Sequence, residues 1–313
     1  MYIKFYSFNH QLINSIIMST KPLKIIKIPI SSVAHLIGLD HYNNFPKTVC
    51  ELWRKYQKED FEKLEKECQK DDVNIATDSD ARKLVRHDKK HGTNIYQQVK
   101  QVNAVKTTSQ QLVKNQSKII NQTAKLSTMT NEDKELVKKQ IESMTNKSHG
   151  IKSEMDVLKR FELESGMSIE SGQKWMVCPF TVDSHGIQWC FHGKYDGMTT
   201  CGKVIEAKKR QKGLFKKVRD YENVQIQSYL FGTASQHGFL VESYSSSEGM
   251  DFCMLPVELD NDYVQGVIIT RLTAFVQFFM KFLEQPTWRD MLLKNDKERF
   301  IYQIYCTEYL KLE

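Results

Sequence analysis

Asp196 and Glu206 stand ten positions apart in YDGMTTCGKVIEAKKR, and Lys208 follows the glutamate by two. Side chains alternate faces on a strand, so Glu206 and Lys208 share one side while Ile205 and Ala207 can pack the other. Asp196 closes the preceding strand, where Gly197 permits a tight turn, and a meander brings it beside Glu206. Two adjacent carboxylates repel when ionised unless a cation lies between them, and a hard divalent ion such as Mg²⁺ takes oxygen ligands. A lysine two residues on can then hold or polarise an attacking water whose pKa the metal lowers.

A third carboxylate lies in SEMDVLKRFE. Glu154, Val157, Leu158 and Phe161 fall at helical spacing, so Glu154 heads an apolar stripe and asks for a partner there. A helix over 219–232 places Gln225 and Tyr229 one turn apart, with Tyr221 a turn earlier. Gln225 can touch the attacking water or a nucleic-acid strand. Each motif also has a plain reading: Glu154 as a helix-end residue reaching water, Gln225 and Tyr229 as packing and a satisfied amide. The histidines show no metal-ligand spacing.

These residues need elements to position them. KIIKIP reads as a strand, followed by a short helix over 33–37 capped by Ser31 or Ser32 and stopped at Gly38. One charged helix is expected over 46–69, with Pro46 in its first turn. Val105, Leu112, Ile119 and Leu126 recur every seven residues, which predicts an apolar seam on a long helix. Thr130 with Asp133 caps a second helix with its own stripe of Val137, Ile141 and Met144. Together these predict a helical hairpin inserted over about 94–148. Beyond it come a helix over 152–164, strands over 175–182, 187–195 and 203–208, the helix over 219–232, strands over 239–244 and 252–257, and two C-terminal helices.

The chain has 313 residues, 40% of them hydrophobic, which suffices for a real core and excludes fibrous and wholly disordered classes. Its net charge is +7, and Lys208 to Arg219 holds seven basic residues with no acidic one, which favours a polyanionic partner. Seven cysteines without a C-x-x-C pair fit a reducing compartment. The N-terminus shows no signal-peptide pattern, and Met18 is an alternative start. Val267 to Leu283 is apolar but carries Arg271, Gln277 and Lys281, which reads as no membrane span. A soluble intracellular protein is the expectation.

The order of these motifs resembles the PD-(D/E)XK nuclease superfamily, and within it the lambda-type exonucleases and YqaJ-like viral recombinases. PISSVAHLIGLDHY is similar to the family's early serine segment, HGIKSEMDVLKRFELESG to its helical glutamate, GKYDGMTTCGKVIEAKKR to its D…E-x-K, and VQIQSY to its Q-x-x-x-Y helix. The resemblance implies an α/β (α+β), restriction-endonuclease-like core with a central mixed, mostly antiparallel sheet flanked by helices. Residues 1–20 would be a disordered extension to a single domain over 21–313, whose catalytic core covers about 149–260. It also implies that Asp196, Glu206, Glu154 and the Ala207 carbonyl bind Mg²⁺ or Mn²⁺, two ions per site. Lys208 would orient the water and Gln225 support the site. Ser31 falls at the place of a serine that grips a terminal 5′-phosphate, with Lys24 where the family has arginine; a lysine cannot supply the bidentate fork. Lys209, Arg210, Lys212, Lys216, Lys217 and Tyr229 would contact the nucleic acid.

The implied activity is metal-dependent hydrolysis of DNA, most simply by an exonuclease on double-stranded ends in viral replication or recombination. Ring-shaped trimers occur among relatives, so a homo-oligomer and a recombination partner protein are further expectations, and a viral source would place the chain in host cytoplasm or nucleus. The alternatives are a structure-selective endonuclease of DNA or RNA and a non-catalytic nucleic-acid-binding scaffold.

Overall fold

The computed structural model describes residues 24–39, 45–70, 79–293 and 298–311. The expected extension over 1–20 lies outside them. Strand β1 (Ile25–Pro29) buries Ile26 and Ile28 by simple alternation. Helix α1 (Ile30–Leu36) follows at once, with Pro29 as its N-cap and no side-chain cap bond. The expected serine cap is therefore wrong. Pro29 supplies the extended backbone that a helix entrance needs, leaving Ser31 exposed and Ser32 buried inside the helix.

The single charged helix expected next is two, α2 (Phe45–Tyr56) and α3 (Lys58–Lys70). In one straight helix, residues eight apart point about 80° away from each other. The break lets Trp53 and Phe61 meet edge to face with centroids 4.9 Å apart.

The helical region begins earlier than the sequence pattern marks, with α4 (Asp80–His91), followed by α5 (Ile95–Ala104), α6 (Ser109–Ala124) and α7 (Asn131–Ser165). The seven-residue seam does not run on one helix. Thr108 caps α6 by accepting from the Gln111 N–H, which leaves Val105 outside and 61% exposed, while Leu112 and Ile119 are buried. Thr130 caps α7 by accepting from the Asp133 N–H. α7 then runs 35 residues, so the expected second insert helix and the helix bearing Glu154 are one rod about 52 Å long. Leu84, Ile95, Val99, Ile119, Val137 and Ile141 form a separate core among α4 to α7.

The remaining elements are β2 (Ile169–Gly172), β3 (Trp175–Val182), β4 (Gln188–Lys194), β5 (Gly197–Thr199), β6 (Val204–Lys209), α8 (Asp220–Thr233), β7 (His237–Ser245) and β8 (Met250–Glu258). They make a mixed α/β architecture, but its strands form two sheets rather than one, in the orders β1-β4-β3 and β2-β5-β6-β7-β8. β1 is parallel to β4 and β6 to β7, and the other pairings are antiparallel. The chain leaves β4 of the first sheet at Lys194 and enters β5 of the second at Gly197. Asp196 sits on the seam, and Gly197 belongs to a strand rather than to a tight turn.

Helix α9 (Asn261–Glu284) is long and apolar enough to cross a membrane by length and composition. Its Leu272, Phe275, Phe278, Phe279 and Phe282 are fully buried, however, against Phe45, Trp53 and Trp189. α9 is a core helix. α10 (Pro286–Leu293) and α11 (Glu298–Ile304) close this core, where Tyr305 stacks on Phe45 with centroids 4.8 Å apart.

Candidate active site

β6 divides its side chains between two cores. Ile205 and Ala207 pack on Val157, Leu158 and Phe161 of α7. Val204 packs into the main core beside Leu230 of α8, so Glu206 and Lys208 also face α8. Gln225 on that helix closes a tight group. Lys208 Nζ donates to Glu206 Oε1 at 2.7 Å and to Gln225 Oε1 at 3.0 Å, while Gln225 Nε2 donates to the same Glu206 oxygen at 2.7 Å. The other oxygen, Glu206 Oε2, is buried without a partner.

The seam between the sheets brings Asp196 alongside. Its Oδ2 accepts from the Ala207 N–H at 2.7 Å. Burial, then the charges of Glu206 and Glu154, hold the Asp196 carboxyl well above its ordinary range. Burial also raises Glu206, against the pull of Lys208. Burial alone would lower Lys208, but Glu206 overrides it and keeps the ammonium protonated. Two carboxylates that resist ionisation together, one with an orphan oxygen, suit a divalent cation.

Glu154 of α7 is half-buried at the rim, where Oε1 accepts from Gln173 Nε2, and Gln173 Oε1 in turn accepts from Lys194 Nζ. Gln173 is in the left-handed region, with φ 46°, and its N–H donates to the Asp196 carbonyl at 3.1 Å. Among the described residues no three His, Cys, Asp or Glu side chains are grouped as a metal site. Asp196 and Glu206 form a pair, and Glu154 stands off on Gln173.

The expected nucleic-acid contacts separate into three groups. Lys212, Lys216 and Lys217 are exposed on the loop between β6 and α8. That loop is fixed from below: Glu242 accepts from the Phe215 and Lys216 N–H groups at 3.0 and 2.7 Å, and the Arg219 guanidinium lies 3.3 Å from the Phe215 ring centroid. Arg210, expected on the same track, is instead buried between Glu222 at 2.7 Å and Glu242 at 2.7 Å. Lys209 points to the opposite face of β6, half-buried near Asp156 and Lys106, and burial lowers its pKa. Tyr229, also expected to touch nucleic acid, is buried and donates to the Lys194 carbonyl at 2.9 Å. Its position depends on Gly193, where a Cβ would lie 3.0 Å from the Tyr229 hydroxyl.

Ser31 and Lys24 do not meet. Pro29 pairs with His192 near the site's end of β4, and Ser31 lies in the first turn of the helix that starts at Ile30. Lys24 lies at the opposite end, its Nζ 4.2 Å from the Tyr56 ring centroid and donating to the Tyr56 carbonyl at 3.3 Å. β1 between them spans about 16 Å.

Sequence reasoning missed Gln173, Lys194, Glu222 and Glu242. Glu222 had a signal, as the acidic third residue of a helix whose entrance N–H it accepts at 3.3 Å from Arg219. Gln173 had none, because a non-glycine residue with positive φ looks like any loop residue.

No family model matches the sequence, and no curated protein is similar to it. Among solved structures, an alkaline exonuclease from Laribacter hongkongensis, LHK-Exo, is 16% identical with a TM-score of 0.36, over 57% of this chain and 90% of that one. Its complex with dAMP gives 18%, 0.36, 60% and 87%. SSO0001 gives 16%, 0.32, 57% and 73%. Likenesses of this size assign neither family nor activity, so the functional reading rests on the site itself.

Proposed function

We propose that this chain is a nuclease that hydrolyses DNA phosphodiester bonds with Mg²⁺ or Mn²⁺, as an exonuclease on double-stranded ends. The buried Glu206 carboxylate carries the reading. One oxygen is fixed by Lys208 and Gln225, the other is orphaned, and Asp196 lies beside it in an environment that disfavours two negative charges. A buried unsatisfied polar atom costs roughly 1–3 kcal/mol, more when charged, and a bound cation would remove that cost.

Asp196, Glu206 and the Ala207 carbonyl would hold the ion. A divalent cation supplies positive charge to the scissile phosphate and lowers the pKa of the attacking water. Lys208, protonated and aimed by Glu206 and Gln225, donates to that water or to a phosphate oxygen. Tyr229 and Gly193 keep the end of β4 in place. Lys212, Lys216 and Lys217 hold the DNA backbone without reading sequence. A second ion requires Glu154 to exchange its Gln173 contact. The motif order supports a setting in viral DNA replication or recombination, with self-association and a recombination partner as its further elements.

The separation of Lys24 from Ser31 favours one second reading, an endonuclease that needs no terminal phosphate. Linear duplexes labelled at either end, with and without a 5′-phosphate, and closed circles are incubated in Mg²⁺ and in EDTA. Metal-dependent loss of nucleotides from ends supports the exonuclease, and nicked circles support the endonuclease. Binding without cleavage in either condition refutes both.

A further inference from the structure

The outer face of the three-stranded sheet carries an aromatic group that the site described above does not use. Trp175, at the start of β3, is 65% exposed. It is not a loose surface side chain, because its ring stacks on His192 with centroids 4.6 Å apart and planes at 24°. Burial, then Lys27 and Lys55, push the His192 pKa down, so the backing ring is uncharged at neutral pH. One face of the indole is thus fixed and its remaining surface is open.

The position of this stack ties it to the candidate active site. Trp175 lies directly across from Lys194, two residues before Asp196, and Gln173, two residues before Trp175, donates its N–H to the Asp196 carbonyl. The surroundings are cationic as well. β1, β3 and β4 contain no Asp or Glu, while Lys27 and Lys194 lie on them and exposed Lys174 precedes Trp175. An open aromatic face among lysines matches a base with its flanking phosphates, since every base has a π-face and every nucleotide a negative charge.

We propose that Trp175, backed by His192, is a stacking platform for an unpaired nucleobase of the DNA strand entering the Asp196–Glu206 site. The proposal rests on the nuclease reading for what the strand does next, but not for its binding. Base stacking on an aromatic side chain is lost when that side chain becomes alanine, with an expected fall in affinity of about 5- to 150-fold.

The test uses full-length protein in EDTA, so that no turnover is needed. Trp53 and Trp189 are fully buried and Trp288 is half-buried, so the emission that disappears in Trp175→Phe is the component that reports Trp175. A single-stranded oligodeoxythymidylate should quench that emission, and the same backbone carrying abasic sites should not. Trp175→Phe should keep most of the affinity and Trp175→Ala should lose it, with unchanged melting temperatures in both. Equal binding of the abasic strand, full affinity in Trp175→Ala, or no oligonucleotide binding at all would each overturn the platform. So would a Trp175→Ala variant that binds normally but changes oligomeric state, which would make the face an interface between copies. Base-dependent quenching without cleavage in Mg²⁺ would retain the platform and remove the nuclease reading; cleavage without base dependence would do the reverse.

Discussion

His149 offers a pH test of how the helical bundle joins the sheet. It is a buried residue of α7, with Nε2 3.4 Å from Ser109 Oγ at the start of α6. Ser109 in turn donates to the Arg210 carbonyl at 2.7 Å, at the end of the strand bearing Glu206. Burial, then the charge of Lys209, lowers the His149 pKa from 6.5 to about 4. A depressed histidine is neutral in the fold and protonates first in the unfolded chain. Its contribution is complete above the unfolded value, shrinks as pH falls from 6.5 toward about 4, and is gone below that. At about 1.4 kcal/mol per unit, the full effect is about 3 kcal/mol. Wild type and His149→Gln are compared by urea unfolding across that range, at fixed ionic strength and in EDTA. The difference between the proteins is the quantity to follow, because Asp196 and Glu206, with raised pKa values, give both proteins the same opposing slope, which cancels in the comparison. The variant should gain on wild type by up to about 3 kcal/mol as pH falls. A difference independent of pH would refute the reasoning.

Other perturbations reach the site and its supports. Asp196→Asn removes a charge from a crowded pair yet leaves an oxygen for the Ala207 N–H, so it should raise the melting temperature in EDTA while abolishing cleavage; a lower melting temperature would contradict the like-charge account. Arg210→Met strands Glu222 and Glu242, which are 1% and 0% exposed, and should cost about 3–5 kcal/mol in urea unfolding. Adding Glu222→Gln and Glu242→Gln should recover most of it, and a small loss in the single variant would show that the cluster is not strongly coupled. Lys208→Ala should lower single-turnover cleavage by at least about a hundredfold with little change in DNA affinity, whereas weakened affinity alone would make it only a binding residue.

Local chemistry made much of the strand pattern legible. β3 appears over the expected residues because β-branched and aromatic residues end at a turn, and Glu206 and Lys208 share a face because two residues is the strand period. Helix continuity was harder to read. Gly150 marks no boundary, since α7 runs straight through it with open space where a Cβ would stand, whereas the α6 boundary turns on one Thr108 hydroxyl. The basic run was legible as charge but not as burial. Arg210 belongs to the interior because Glu222 and Glu242, 12 and 32 residues away, converge on it, and such a meeting has no signature along the chain. Lys24 and Ser31 fail as a pair for a simpler reason: a strand between two residues holds them apart.

The most direct test of a metal site at Asp196 and Glu206 is calorimetric titration of Mn²⁺ into wild type and Glu206→Gln, followed by duplex cleavage with the same samples. The account predicts that wild type binds the ion and cleaves, while the glutamine variant stays folded and does neither. Unchanged Mn²⁺ binding, or undiminished cleavage, in Glu206→Gln would contradict it.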